Sequence, residues 1–249
     1  MILASNVTCV NIREAQHVRR YTGCMNGSEI RPAKAYHHGD LHSALIRQAV
    51  KLIRKRGDVN FSLRDLAAEI GVSHAAVYRH FNGKAALLAA VAVHGFELLA
   101  KAVEAAGAPL NEQPAEQLAQ QGAAYVGMAT RYPGHFAAMF APEIHHSAQA
   151  AEVLAAAESA YLPLLRTVMR RLACDDPTAP AVQAEALRCW ALVHGVASLQ
   201  LSGNLAACLG PSMQLTTPAQ VQALVLRLLG SSTRAPAAVR KAARTTASG

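Results

Sequence analysis

The amino-acid sequence predicts an all-α protein, and three observations carry that prediction. Alanine and leucine are abundant while aromatic residues make up only 5% of the 249 residues, and Ala and Leu lose little on entering a helix. Apolar residues recur at i, i+3, i+4 and i+7, the period of a helix with one buried face. Runs of β-branched residues that would mark strands are rare. At 52% hydrophobic, the chain has ample material for a buried core.

Residues 1–35 mix Asn, Thr, Gly, Arg and Ser without a sustained apolar period and read as a flexible arm, with Met25 as an alternative start. From Asp40 to Arg56, Leu41, Leu45, Ala49, Leu52 and Ile53 share one face, and Gly57 supplies a stop. Two short helices follow, then a long one from about Asn82 to Ala106. A loop with two prolines spans Gly107 to Pro114. Beyond it, helices are expected at roughly 115–131, 135–140, 147–173, 181–202 and 218–229. Breaks fall at Tyr132-Pro133-Gly134, from Asp175 through Pro180, and across Gly203 to Thr217. Residues 231–249, rich in Ala, Arg, Thr and Ser, read as a disordered basic tail.

Composition narrows the function classes. No stretch of about 18 apolar residues runs without polar interruption, so no membrane span is expected. No secretory signal pattern opens the chain, and the expected location is the cytoplasm. Cys9, Cys24, Cys174, Cys189 and Cys208 are scattered with no C-x-x-C pair, which argues against a disulfide framework or zinc ribbon. Charge is unevenly spread: residues 1–105 hold 14 Lys and Arg against 8 Asp and Glu, residues 106–230 hold 6 against 8, and residues 231–249 hold 4 against none. A basic N-terminal third beside a mildly acidic body suits a polyanionic partner.

The most specific segment is Phe61 to Lys84, FSLRDLAAEIGVSHAAVYRHFNGK. Ser62 followed by Asp65 forms an S-x-x-D capping box, and Phe61 with Leu66 a hydrophobic staple. Leu63, Leu66, Ala67 and Ile70 form one buried face. Gly71 supplies the left-handed residue of a sharp turn. Ser73 caps the next helix, with Val72 and Val77 as a second staple. Two capped short helices around a glycine match a helix-turn-helix, whose second helix enters the major groove. Val77 and Phe81 point inward, leaving His74, Ala75 and Tyr78 outward with Arg79 beside them. Small Ala75 and Ala76 admit close approach to bases, His74 can bond a base or phosphate, and Tyr78, Arg79 and His80 can donate to phosphates. Asn82-Gly83-Lys84 opens the next helix, where free backbone N–H groups and the Lys84 charge attract phosphate. On pattern alone, plain scaffold helices remain the alternative.

The stretch GVSHAAVYRHFNGKAALL from Gly71, with SLRDLA from Ser62 and YHHGDLHSALIRQAVKLIRKRG from Tyr36, resembles the DNA-binding domain of the tetracycline-repressor (TetR) family. The resemblance spans Tyr36 to about Val93. It implies that Arg64, His74, Ala75 and Ala76 read bases, while Ser62, Tyr78, His80 and Lys84 grip phosphates. Arg79 falls at a variable position. The implied organisation is a helix-turn-helix domain over 36–95 and a ligand-binding and dimerisation domain over 96–230.

In the C-terminal part, Trp190 and His194 lie at i and i+4 with Gly195 adjacent. A mid-helix glycine costs about 0.8–1 kcal/mol relative to alanine, so close helix packing is the expected reason for it. This Trp-His-Gly pattern and YPGHFAAMF from Tyr132 resemble the "WHG" C-terminal domain of a TetR subgroup. The resemblance implies a homodimer held by a four-helix bundle of residues 181–202 and 218–229 from each chain. Val221, Leu224, Val225, Leu228 and Leu229 form an apolar face suited to it.

Tyr125, Met128, Met139, Phe140, Trp190 and His194 lie on separate helices of a charge-poor region. They could line a pocket for an apolar small molecule with one or two polar handles, or simply fill the core. His37, His38, His135, His145, His146 and His194 show no closed zinc spacing, so no metal is expected. No G-x-S-x-G, P-loop, Rossmann or H-E-x-x-H motif is present, and neither catalysis nor a cofactor is expected. The expected function is a ligand-responsive regulator, a repressor, on double-stranded operator DNA. The alternative is a helical interaction module without specific DNA binding.

Overall fold

The computed structural model describes residues 41–110, 112–209 and 217–230, all within the compact unit Tyr36–Gly249. The arm expected over 1–35, the tail over 231–249, and His37, His38, Cys9 and Cys24 lie outside the described residues. Among the described residues every regular element is a helix. In chain order these are α1 Leu41–Arg56, α2 Leu63–Ile70, α3 His74–Tyr78, α4 Lys84–Gly107, α5 Pro114–Arg131, α6 Pro133–Met139, α7 Ala150–Leu172, α8 Pro180–Leu201, α9 Asn204–Leu209 and α10 Pro218–Gly230. Short 3-10 turns sit at Ala108–Leu110 and Pro142–His146. The protein is all-α, as its patterning predicts. One difference is α9, which lies inside the break expected from Gly203 to Thr217. Its NLAACL run favours helix locally but is too short to display a period.

α1 buries Leu41, Ala44, Leu45, Ala49, Leu52 and Ile53. Arg54, Lys55 and Arg56 fill its last turn, where positive charge suits the helix dipole. α2 and α3 complete the compact N-terminal module around buried Leu66, Val77 and Phe81. α4 packs against α1, α5, α6 and α7, burying Leu87, Leu88, Val91, Phe96 and Leu99. By length and composition alone, Lys84–Leu110 could cross a membrane, with a mean hydropathy of 1.7. Here its apolar side chains meet the neighbouring helices instead, in a single core that extends from Leu41 to Leu229.

Two glycines permit close approach. A Cβ on Gly134 would lie 2.6 Å from the Val50 carbonyl oxygen, so α6 can touch the backbone of α1 only with glycine there. A Cβ on Gly122 would run into Leu229, with Val193 at 3.0 Å and Val225 at 3.1 Å. That contact seats α10 on α5. It also splits the apolar face expected to serve dimerisation. Val221, Val225 and Leu229 are buried within the chain, while Leu228 stays 39% exposed and Leu224 half-buried. Burying such side chains is worth about 1.5–3 kcal/mol each, which explains why α10 spends that face on α5. Gly195, by contrast, meets no close neighbour within the described chain: nothing lies within 4 Å of a Cβ placed there.

Polar contacts lock the remaining helices. Glu185 of α8 takes Arg171 of α7 and Arg188 of its own helix, and its hydrogen bond with Arg188 holds its carboxyl below the usual range. His94 of α4 meets His135 of α6, Nδ1 to Nε2, at 3.1 Å. His135 is buried and its Nδ1 has no hydrogen-bond partner in the structure. The economical tautomer therefore has His135 donating from Nε2 to His94, which leaves only a lone pair orphaned on Nδ1. Burial, with the nearby His94, pushes the His135 pKa down from 6.5 to about 4.

This shift predicts an acid-sensitive α4–α6 contact. Between pH 6.5 and about 4 the unfolded chain binds a proton at His135 that the folded chain refuses. Stability is present above pH 6.5 and is lost as pH falls, at up to about 1.4 kcal/mol per pH unit. Asp65, Asp176 and Glu185, whose pKa values are lowered from 3.8, 3.8 and 4.5, lose their contributions only at lower pH. Thermal melts from pH 7 to 4.5 should therefore show a falling midpoint, with a shallower fall for His135→Gln. Equal slopes in the two proteins would remove His135 as the cause.

Candidate functional site

The module α2–turn–α3 is built by its caps. Ser62 Oγ accepts from the Asp65 N–H at 3.1 Å, and Asp65 Oδ2 accepts from the Ser62 N–H at 3.1 Å. The Ser62 backbone bond, reinforced by Arg56, holds the Asp65 carboxyl below its usual range. Arg56 bonds Asp65 at 3.1 Å and the Asn60 carbonyl at 2.8 Å, tying the end of α1 to the start of α2. Gly71 turns the chain at φ 77°, with its N–H returned to Ala67 and Ala68. Ser73 Oγ then accepts from the Ala76 N–H at 3.2 Å and starts α3. Val77 is fully buried and Phe81 nearly so, which fixes the rotation of α3.

With that rotation set, Ser62, Arg64, His74, Ala75, Tyr78, Arg79 and His80 are exposed, and Ala76 is half-buried. Tyr78 is 49% exposed, a large aromatic held in water. Its ring lies edge-on to His74, 4.6 Å between centroids. Lys84, in the first turn of α4, is half-buried and already engaged. Its Nζ lies 3.3 Å from Glu143 Oε1 and 5.6 Å from the Phe61 ring centroid. Sequence reasoning did not single out Glu143, which is 59 residues away and has no local signal. It also passed over His42, whose ring stacks on Phe81 at 4.7 Å and approaches His80 at 6.2 Å.

The second constellation lies among α5, α6 and α8. Tyr125 OH and His194 Nδ1 are 2.9 Å apart. Around the His194 ring stand Phe140 at 4.5 Å, Phe136 at 5.4 Å and Trp190 at 5.8 Å between centroids. Four of the six named side chains, Tyr125, Phe140, Trp190 and His194, thus meet in one aromatic cluster. Phe136 completes it and could have been found from the sequence, one helical turn before Phe140. Met139 instead lies against Gly95 of α4, where a Cβ would fall 2.7 Å from its sulfur. Met128 is buried in the core. Burial raises the Tyr125 pKa and lowers that of His194, so both are neutral near pH 7. A neutral His194 accepting from Tyr125 at Nδ1 carries its proton on Nε2.

One end of α5 holds a buried polar group that periodicity did not reveal. Gln117 donates to the Gly107 carbonyl at 2.9 Å, and its Oε1 accepts from Thr167 at 3.1 Å and from Arg170. Gln121, one turn on, is buried with Oε1 lacking a hydrogen-bond partner. Glutamine spacing cannot distinguish a buried amide from a solvated one, so only packing identifies this group. Among the described residues no three His, Cys, Asp or Glu side chains are grouped as metal ligands. His145 and His146 are exposed on the Pro142–His146 turn.

Residues 45–91 match the family model for bacterial regulatory proteins of the tetR family. Residues 118–229 match the tetracyclin repressor-like C-terminal domain. The fold is similar to that of a protein of unknown function from Rhodococcus sp. RHA1, 30% identical, with a TM-score of 0.60 over 80% of this chain and 97% of the other. A tetR-family regulatory protein from Rhodococcus RHA1 is 20% identical, with a TM-score of 0.58 over 78% and 98%. The TetR family transcriptional regulator PfmR from Thermus thermophilus is also 20% identical, with a TM-score of 0.53 over 78% and 95%. No curated protein matches the chain. The capped helix-turn-helix, the helical C-terminal region and these matches together make the chain a member of the TetR family of DNA-binding transcriptional regulators.

Proposed function

We propose that this protein is a ligand-responsive repressor that binds an inverted-repeat operator as a homodimer and is released by a small, largely apolar effector. Residues 36–95 form the DNA-binding domain and 96–230 the effector and dimerisation domain in this reading. The observation that carries it is the outward face of α3, where His74, Ala75, Tyr78 and Arg79 are exposed while Val77 and Phe81 anchor the helix. His74, Ala75, Ala76 and Arg64 read bases; Ser62, Tyr78, Arg79, His80 and Lys84 hold phosphates. Dimerisation is supported by apolar side chains that the chain leaves uncovered. Leu187 is 56% exposed and Leu199 39% on α8, Leu228 is 39% exposed on α10, and the space beside Gly195 is open. Lone exposed leucines are ordinary, but a stripe on two adjacent helices favours a partner helix pair.

The effector's seat is the cluster of Tyr125, Phe140, Trp190 and His194, with Met128 and Met139 deeper in the core. Neutral polar atoms set among aromatic rings suit an apolar molecule with a hydrogen-bonding handle. DNA and effector favour different spacings of the two recognition helices, so each weakens the other's binding. No catalysis is involved, and the site of action is the cytoplasm.

Selecting duplexes from a random library should recover an inverted repeat; absence of any enriched motif would leave a helical module without specific DNA binding. Tyr78→Phe and Lys84→Gln should weaken binding to all duplexes alike, the latter lowering the salt slope by about 1. His74→Ala should change the preferred sequence instead.

Sedimentation of a Leu187→Glu, Leu228→Glu double variant should show monomers, because like charges would meet in the bundle. An unchanged dimer would move the interface elsewhere. Trp190 is the only tryptophan, so its emission reports the cluster without labelling. An effector should shift that emission and loosen operator binding over one concentration range, as linkage requires. A compound that saturates the emission change without altering DNA affinity is not the signal.

A further inference from the structure

The first turn of α4 contains no acidic residue, and its first residue is a lysine. A cation there opposes the helix dipole, so Lys84 depends on a partner brought by the fold. That partner is Glu143, 3.3 Å away, with the Phe61 ring beneath the ammonium group. The side chains are 26% and 41% exposed, and an ion pair this open to water is weak enough to exchange one anion for another. A DNA phosphate arriving at the start of α4 is such an anion.

Glu143 does not belong to the DNA-binding module. It lies on the Pro142–His146 turn, which packs against α4 and α7 and is pinned by Ile144, 1% exposed. That turn directly follows α6, whose Phe136 stands against His194, as does Phe140 at its end. The position of Glu143 is therefore set jointly by α4, α7 and the end of α6 that bears on the aromatic cluster, whereas Lys84 belongs to α4 itself.

We propose that Glu143 is a positioning residue for DNA binding, whose carboxylate competes with a DNA phosphate for Lys84 and so makes the grip of α4 on DNA depend on the seat of α6. This rests on the reading of Lys84 as a phosphate contact. Binding requires Lys84 to leave Glu143 or share it, and the carboxylate, left beside a phosphate, repels it. Any shift of α6 that draws Glu143 away from Lys84 strengthens the contact, and one that presses it closer weakens the contact.

The test is a double-mutant cycle on the full chain with a mixed-sequence DNA duplex, by fluorescence anisotropy across a salt series. Lys84→Gln keeps most of the stem over Phe61, and thermal melts establish that each variant is folded. Glu143→Gln should tighten binding about 2–5-fold, whereas the same change in the Lys84→Gln background should do nothing. Equal tightening in both backgrounds would be a general effect of removing one negative charge and would overturn the proposal. So would no tightening in the wild-type background while Lys84→Gln still weakens binding. If Lys84→Gln leaves affinity and salt slope unchanged, the phosphate role of Lys84 fails first and the proposal falls with it.

Discussion

α4 starts at Lys84, beside the turn that follows α3, and ends at Gly107, against Gln117 of α5. Its 24 residues span about 36 Å as a rod, held by α1 on one flank and by α5, α6 and α7 on the others. Leu87, Leu88, Ala89, Val91 and Ala92 are wholly buried. Close packing over this stretch favours movement of α4 together with its neighbours, because interiors are as dense as organic crystals. The N-terminal module meets that rod through α1, and the Phe61 ring lies under Lys84 at its start.

The polar contacts in this interior matter because they are few. An apolar helix surface offers many nearly equivalent registers, whereas a buried hydrogen bond is lost on a small slip and leaves its partner unsatisfied. His94 with His135 registers α4 against α6, and Gln117 with Gly107 and Thr167 registers α5 against α4 and α7. Arg171 and Glu185 do the same for α7 against α8. Gln121 Oε1 and His135 Nδ1 lack partners, so two of these elements carry an unmet polar atom. Each costs stability that a purely apolar contact would not.

The aromatic cluster joins the same frame from the other side. Tyr125 belongs to α5, Phe136 to α6 and His194 to α8, so three helices converge on one hydrogen bond and its surrounding rings. Aromatic edges and faces prefer particular angles, so the packing of these rings ties the relative placement of the three helices. α6 is the shortest of the three and is anchored to α1 at Gly134. Its movement would reach the DNA-binding module by steric contact as well as through Glu143.

The local features of this protein were determined by its sequence alone. Ser62 and Asp65 form their capping box, Gly71 takes its left-handed turn and Ser73 caps α3, because each depends on residues no more than four apart. The helical period likewise located α1, α4, α5, α7, α8 and α10, and the outward face of α3 followed from the inward Val77 and Phe81. Tertiary structure alone decided which apolar faces pair. The stripe on α10 could cover α5 or a second chain, and packing at Gly122 committed Val221, Val225 and Leu229 to α5 while leaving Leu228 outside. It also brought Lys84 to Glu143, His94 to His135, His42 to Phe81 and Gln117 to Thr167, pairs separated by 59, 41, 39 and 50 positions. Periodicity encodes which side of a helix is buried and is silent on what it is buried against, because many apolar partners satisfy the same stripe and only the closed fold selects one.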